Sequence, residues 1–227
     1  TEVSLEEFQK HKDRLIHYNL EQVTKTGYQV YIPEYLQRLK IGFIWDFNTQ
    51  NIQELHTYGI HNTYYVPIGY IYSMTKLDKA KTQDIDVLFY GYPTERRVEL
   101  YKNIESLGLN IATPASLTGA QETRLSEEMR NDAISRSKVV LKCHAYEFNN
   151  IFELVRVSFL LANKKAVVSE IKITTKIDPD LYKAIVYGTI EQLPELCKIL
   201  VDNENDRLKL EQLGFNIFKD RSQIKYI

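Results

Sequence analysis

A chain of 227 residues is long enough to bury a core as one domain or as two small ones. With 44% hydrophobic and 26% charged residues it is neither disordered nor fibrous, and a formal net charge of -1 argues against a general polyanion-binding surface, so nucleic acid is not an expected partner. Cys143 and Cys197 are its two cysteines, with neither CxxC nor a zinc-type Cys/His spacing, so no disulfide scaffold and no metal site is expected, and a reducing, cytoplasmic compartment fits.

Short β-type runs alternate with helix-type runs, the pattern of βαβ units around parallel sheets, and predict an α/β fold. In chain order, the first part predicts strands at Leu15–Asn19, Ile41–Asp46 and Thr63–Ile68, with helices near Pro33–Lys40 and Asn48–Tyr58. Pro33 suits a first helical turn and Gly59 a helix end. Residues 73–83 are polar, rich in Lys and Thr, and read as a linker, so the expected domains are 1–78 and 79–227. The second part opens with the apolar run Asp86–Gly91 and a helix over Thr94–Ser106. Next come a strand at Leu109–Ile111, a helix at Ser126–Ser135 and a strong strand at Lys138–Lys142. A helix at Asn150–Asn163, strands at Ala166–Ser169 and Ala184–Tyr187, and helices at Ile190–Val201 and Asn205–Leu213 complete the pattern. The most apolar helix-like stretch, Phe152–Ala162, is interrupted by Glu153 and Arg156, so no membrane span is expected. A start at Thr1 suggests a domain taken from a longer polypeptide with adjoining domains.

Open α/β sheets bind ligands at the carboxyl ends of their strands, where loops and helix N-termini converge. That rule singles out Glu21, Asp46, Asn48, Gly69 and Tyr70 in the first part, and Gly91, His144, Tyr146, Ser169 and Glu170 in the second. The segment Tyr90–Arg97 places Gly91 at a strand end, Thr94 as a helix cap, and Arg96 and Arg97 in the first turn, which suits a diphosphate or simply a solvated helix start. Glu153 and Arg156 stand at i,i+3 spacing, which suits ribose recognition or an intrahelical ion pair.

The order Lys138-Val-Val-Leu-Lys-Cys-His144-Ala-Tyr146, Phe152-Glu153, Arg156, Leu160-Leu-Ala-Asn163 and Val167-Val-Ser169-Glu170 resembles the C-terminal half of GT-B glycosyltransferases, whose pattern there reads "vLNiHyY…lE..R…aLs.g..vvSE". Upstream, Tyr18-Asn-Leu-Glu21-Gln22, Ile44-Trp-Asp46-Phe, Asn51 and Val66-Pro-Ile-Gly69-Tyr70 resemble the matching N-lobe. The resemblance implies two Rossmann-like lobes with parallel sheets flanked by helices, the N-lobe truncated, and a metal-independent transfer of a sugar from a nucleotide-diphosphate donor to a glycan or glycoprotein hydroxyl. No cofactor is implied beyond that co-substrate, for which a UDP-sugar is favoured. Residue by residue it implicates Gly91, Arg97, His144, Tyr146, Glu153, Arg156 and Glu170 at the donor, to which the helix start adds Arg96. In an inverting reaction, Glu21 and Asp46 are the candidate bases on the acceptor side, although Asp46 suits a capping role equally. Glu147 and Glu153 are not spaced as the E-x7-E pair of many retaining members, so stereochemistry does not carry over. An Ile/Lys/Tyr/Asn-rich composition suits a domain of a chlorovirus multidomain enzyme that moves rhamnose.

Two rival classes are weaker. Asp84-Ile-Asp86 and Asp178-Pro-Asp180 have the Asp-x-Asp form of metal-dependent transferases, but the first enters a strand at the end opposite the ligand face and the second reads as a turn. A nicotinamide-dependent dehydrogenase lacks its GxGxxG. A non-catalytic nucleotide- or carbohydrate-binding module, or a scaffold for a larger enzyme, remains the alternative from a different class.

Overall fold

The computed structural model describes residues 4–23, 32–119 and 124–227. They form two compact units, Thr1–Ile68 with Gln223–Ile227, and Gly69–Ser222. The division falls at Ile68 and Gly69, ahead of the polar segment read as a linker.

The first unit begins with α1 (Leu5–Lys10), whose Ser4 hydroxyl accepts the Glu7 N–H. Three parallel strands follow, β1 (Ile16–Asn19), β2 (Phe43–Asp46) and β3 (Thr63–Tyr65), linked by α2 (Ile32–Leu39) and α3 (Thr49–Thr57). The sheet order β1-β2-β3 matches chain order, so right-handed crossovers put both helices on one face. Leu36, Leu39, Ile44, Leu55 and Ile60 form the core there. The turn into β2 needs Gly42, which has φ +89° and whose Cβ would lie 2.6 Å from the Leu15 carbonyl oxygen.

In the second unit five parallel strands are arranged β5-β4-β6-β7-β8. They are β4 (Ile85–Leu88), β5 (Ile111–Ala112), β6 (Ser137–Lys142), β7 (Ala166–Glu170) and β8 (Val186–Gly188). The connecting helices are α4 (Glu95–Ser106), α5 (Pro114–Thr118), α6 (Glu127–Arg136), α7 (Leu154–Ala162), α8 (Leu193–Asp202) and α9 (Glu204–Asp220). β6 and β7 are buried almost throughout, as central strands covered on both faces must be, and Val87, Val139, Leu141 and Val168 pack with Leu100, Ile104, Leu193 and Cys197. The expected α/β class with Rossmann-like parallel sheets is therefore observed.

Two helices differ from expectation for identifiable reasons. The predicted helix from Asn150 begins at Leu154, because Glu153 takes the N-cap position with ψ 64°. The predicted stop at Leu213 does not occur: α9 continues through Gly214, whose missing Cβ would sit 2.8 Å from the Ala184 carbonyl oxygen, so this glycine serves close packing rather than termination.

Residues 74–77 are fixed to the end of α7 by one side chain. Asn163 donates to the Met74 and Phe159 carbonyls at 2.8 and 2.7 Å, and accepts the Lys76 and Leu77 N–H groups at 2.9 and 2.8 Å.

Candidate functional site

Among the five strands, chain order reverses between β4 and β6, and a crevice opens at such a switch beyond the strands' carboxyl ends. β4 runs out into Phe89, Tyr90 and Gly91, and β6 into Cys143 and His144. A Cβ on Gly91 would lie 3.0 Å from the Phe89 ring and 3.4 Å from Arg156 Nη1, so glycine keeps this turn flat against both.

The first turn of α4 stitches the two loops together. Arg97 is 4% exposed, donates to the carbonyls of Tyr92 at 2.9 Å and Cys143 at 2.6 Å, and lies 4.9 Å over the Phe89 ring. Arg96 forks onto Glu170 at 2.9 and 2.5 Å and reaches the His144 carbonyl at 3.1 Å. Hydrogen bonds from a charged donor contribute about 1.5–3 kcal/mol each, so Arg97 would have to give up two of them to meet a phosphate. Both arginines expected at a diphosphate thus hold protein groups in this structure. Thr94 occupies the N-cap position as expected, but its hydroxyl donates to the Ala145 carbonyl instead of capping the helix.

Beneath them lies a tight cleft lined by Lys142, Cys143, His144, Phe152, Glu153, Ser169 and Glu170. Lys142 ends β6 with its side chain 5% exposed and ion-paired to Glu153, which also faces Arg156 at 3.8 Å. Burial pulls the Lys142 ammonium down against the opposing pull of Glu153. Burial alone would raise Glu153, but Lys142 and then Arg156 hold it well below the carboxylate range. Glu170 follows the same logic: burial raises it, while the Arg96 fork and the His144 N–H, which it accepts at 2.8 Å, bring it lower. His144 is 5% exposed, its Nε2 has no hydrogen-bond partner among the described residues, and burial pushes its imidazole down to about 4, so the ring is neutral. Arg156 donates to the Tyr90 carbonyl at 3.0 Å and lies over the Tyr90 ring.

The loop after β6 carries Tyr146, stacked on Phe148 with centroids 5.1 Å apart and planes 9° from parallel. Lys172, just past β7, reaches back to the Glu147 carbonyl of that loop.

A separate polar cluster sits at the carboxyl ends of β1 and β2 in the first unit. Asp46 is fully buried and accepts from Asn19 Nδ2 at 2.6 Å, the Asn48 N–H at 2.8 Å and Asn51 Nδ2 at 3.2 Å. Burial raises its carboxyl to about 6 despite those three bonds. Asn19 and Asn51 also both donate to the Glu21 carbonyl, and Tyr35 donates to Asn19. Of the two carboxylates considered as bases, Asp46 is consequently sealed into a loop-ordering network, the capping role that suited it equally. The Glu21 side chain is exposed.

Gly91, Arg96, Arg97, His144, Glu153, Arg156 and Glu170 are thus brought together in the second unit, with Tyr146 on the adjoining loop, while Glu21 and Asp46 share the cluster in the first. Sequence reasoning passed over Lys142, although a lysine closing the apolar run Val139–Leu141 is itself a signal, since a buried charge is rarely accidental. Both Asp-x-Asp triplets are engaged in ion pairs. Asp84 binds Arg136 at 2.6 Å and Asp86 binds Lys138 at 2.7 Å, while Asp178 and Asp180 each bind Arg221 at 2.6 Å.

No protein-family model and no curated protein matches the sequence. Among solved structures, the crystal structure of TarM superimposes with a TM-score of 0.62 and 8% identity, over 93% of this chain and 48% of that one. The chain thus spans about half the length of TarM, and the likeness is one of fold alone, an α/β arrangement of parallel sheets and helices. No described helix is long and apolar enough to cross a membrane.

Proposed function

We propose that the chain is a glycosyltransferase of GT-B type, or the catalytic part of one, and that its Gly69–Ser222 unit binds the diphosphate of a nucleotide-sugar donor. The observation that carries this reading is the charge gathered at the switch point. Lys142, Arg96, Arg97 and Arg156 stand against Glu153 and Glu170, four cations to two carboxylates, and the Lys172–Glu147 segment adds one of each sign. A diphosphate would neutralise the surplus of two. The fold likeness to TarM and the motif order support the same reading. Glu153 would take the ribose hydroxyls, and the cationic groups would stabilise the departing diphosphate without requiring a metal. A UDP-sugar remains the favoured donor and a glycan hydroxyl the acceptor, with Glu21 as the base of an inverting transfer.

Calorimetry against UDP, GDP and dTDP tests the reading. At least one of the three is expected to bind, with hydrolysis or transfer of the corresponding sugar. A protein that binds none of them is not a donor-dependent transferase. Such a result would favour the scaffold reading, to which the small cleft and the sealed Asp46 lend specific support.

A further inference from the structure

At the cleft, the cations differ in how fully they are used. Arg97 holds two backbone carbonyls through its terminal nitrogens, with only its Nε lacking a hydrogen-bond partner among the described residues, Arg96 is held by Glu170 and a third carbonyl, and Arg156 is anchored to Tyr90. Lys142 is different. Its ammonium carries three donors, yet among the described residues it meets only the Glu153 carboxylate and makes no hydrogen bond to a backbone or neutral acceptor. A buried cation satisfied on one side by a single carboxylate is costly to keep, and at a strand end that cost marks a ligand contact more readily than a packing element. His144 Nε2, also lacking a hydrogen-bond partner among the described residues and lining the same cleft, is a second unused polar atom beside it. Lys142 further stands where the resembled pattern "vLN" has asparagine, so the feature belongs to this chain.

We propose that Lys142 is the cation that takes a phosphate of the donor, and that it does so by exchanging Glu153, which passes to the ribose hydroxyls. The proposal rests on the donor reading above and deepens it. With no donor the two side chains neutralise each other and close the cleft. When a donor enters, the ribose supplies hydroxyl donors to Glu153 and the phosphate supplies acceptors to Lys142, so each buried charge leaves with a new partner and neither is stranded. The long lysine stem permits the swing, whereas Arg97 would first have to break both backbone bonds. Ribose and phosphate recognition are then coupled through one ion pair.

Inorganic pyrophosphate is the probe, because it needs no assumption about the base or sugar. Calorimetry would compare the unaltered chain, Lys142→Asn and Glu153→Gln, with thermal melts to check folding. Pyrophosphate is expected to bind the unaltered chain, at least tenfold more weakly to Lys142→Asn, and several-fold more tightly to Glu153→Gln, whose lysine has lost its competitor. The Glu153→Gln arm stands alone if Lys142→Asn does not fold, since a lysine kept only for stability gives no such gain. Unchanged affinity in Lys142→Asn, no gain in Glu153→Gln, or no binding to the unaltered chain overturns the proposal. If pyrophosphate behaves as expected while no nucleotide binds, the phosphate site stands and the donor reading falls.

Discussion

At the end of β2, Asp46 has lost all contact with solvent and holds three hydrogen bonds, while Glu21, a short distance along the chain from β1, keeps its side chain exposed. The difference decides their chemistry. A raised carboxyl pKa in the folded state means that folding favours the protonated form. Stability from this group is therefore fully present below the unfolded value near 3.8 and is lost as pH rises through about 6. Carbon-detected NMR should find the Asp46 carboxyl titrating near 6, with this unit losing at most about 3 kcal/mol between pH 4 and 7 from that source. A midpoint below 4 would show that the three donors outweigh burial. For Glu21, Glu21→Gln should lower transfer by about 100-fold or more with donor binding unchanged, which is the range of a lost general base. Turnover equal to the unaltered chain removes Glu21 from that role.

At the scale of elements, most strands and helices follow from periodicity and from glycine and proline positions, because parallel strands buried on both faces leave uninterrupted apolar runs such as those of β6 and β7. What was not legible lies where tertiary contacts override local signals. Gly214 reads as a stop until Ala184 is seen against it, and Glu153 reads as helical until Lys142 is found to hold its side chain. The short α1 was legible in Ser4 and Glu7, a serine cap with a glutamate three residues on, but was not read. The same distinction separates the site residues. Positions at strand ends were recoverable by topology, but which cation is already spent depends on partners from distant segments, such as Glu170 for Arg96. Asn163 is another case, since its four bonds to residues 74–77 and α7 leave no pattern in the sequence. Asn163→Ala strands two backbone N–H groups and two carbonyls, so it should cost about 2–4 kcal/mol in denaturant unfolding. A loss under 0.5 kcal/mol would mean that solvent replaces all four.

Across the whole molecule, the two units are finished to different degrees. The five-stranded sheet has helices on both faces and carries the charged cleft at its switch point. The three-stranded sheet has one helix-covered face, while Ile16, Tyr18, Phe43 and Tyr64 remain exposed at 47%, 36%, 37% and 53%. In-register neighbours such as Ile16 and Phe43 make this a continuous apolar strip, in keeping with a first lobe of few strands. On the proposed reading, the donor is met by the larger unit, at the charged cleft beyond β4 and β6. Crystals of the chain soaked with UDP examine that directly. Phosphate density is expected beyond the carboxyl ends of β4 and β6, within hydrogen-bonding distance of Lys142, with Glu153 turned away from the lysine. Nucleotide bound at any other place on the molecule, or Lys142 and Glu153 still paired beneath a bound diphosphate, would contradict it.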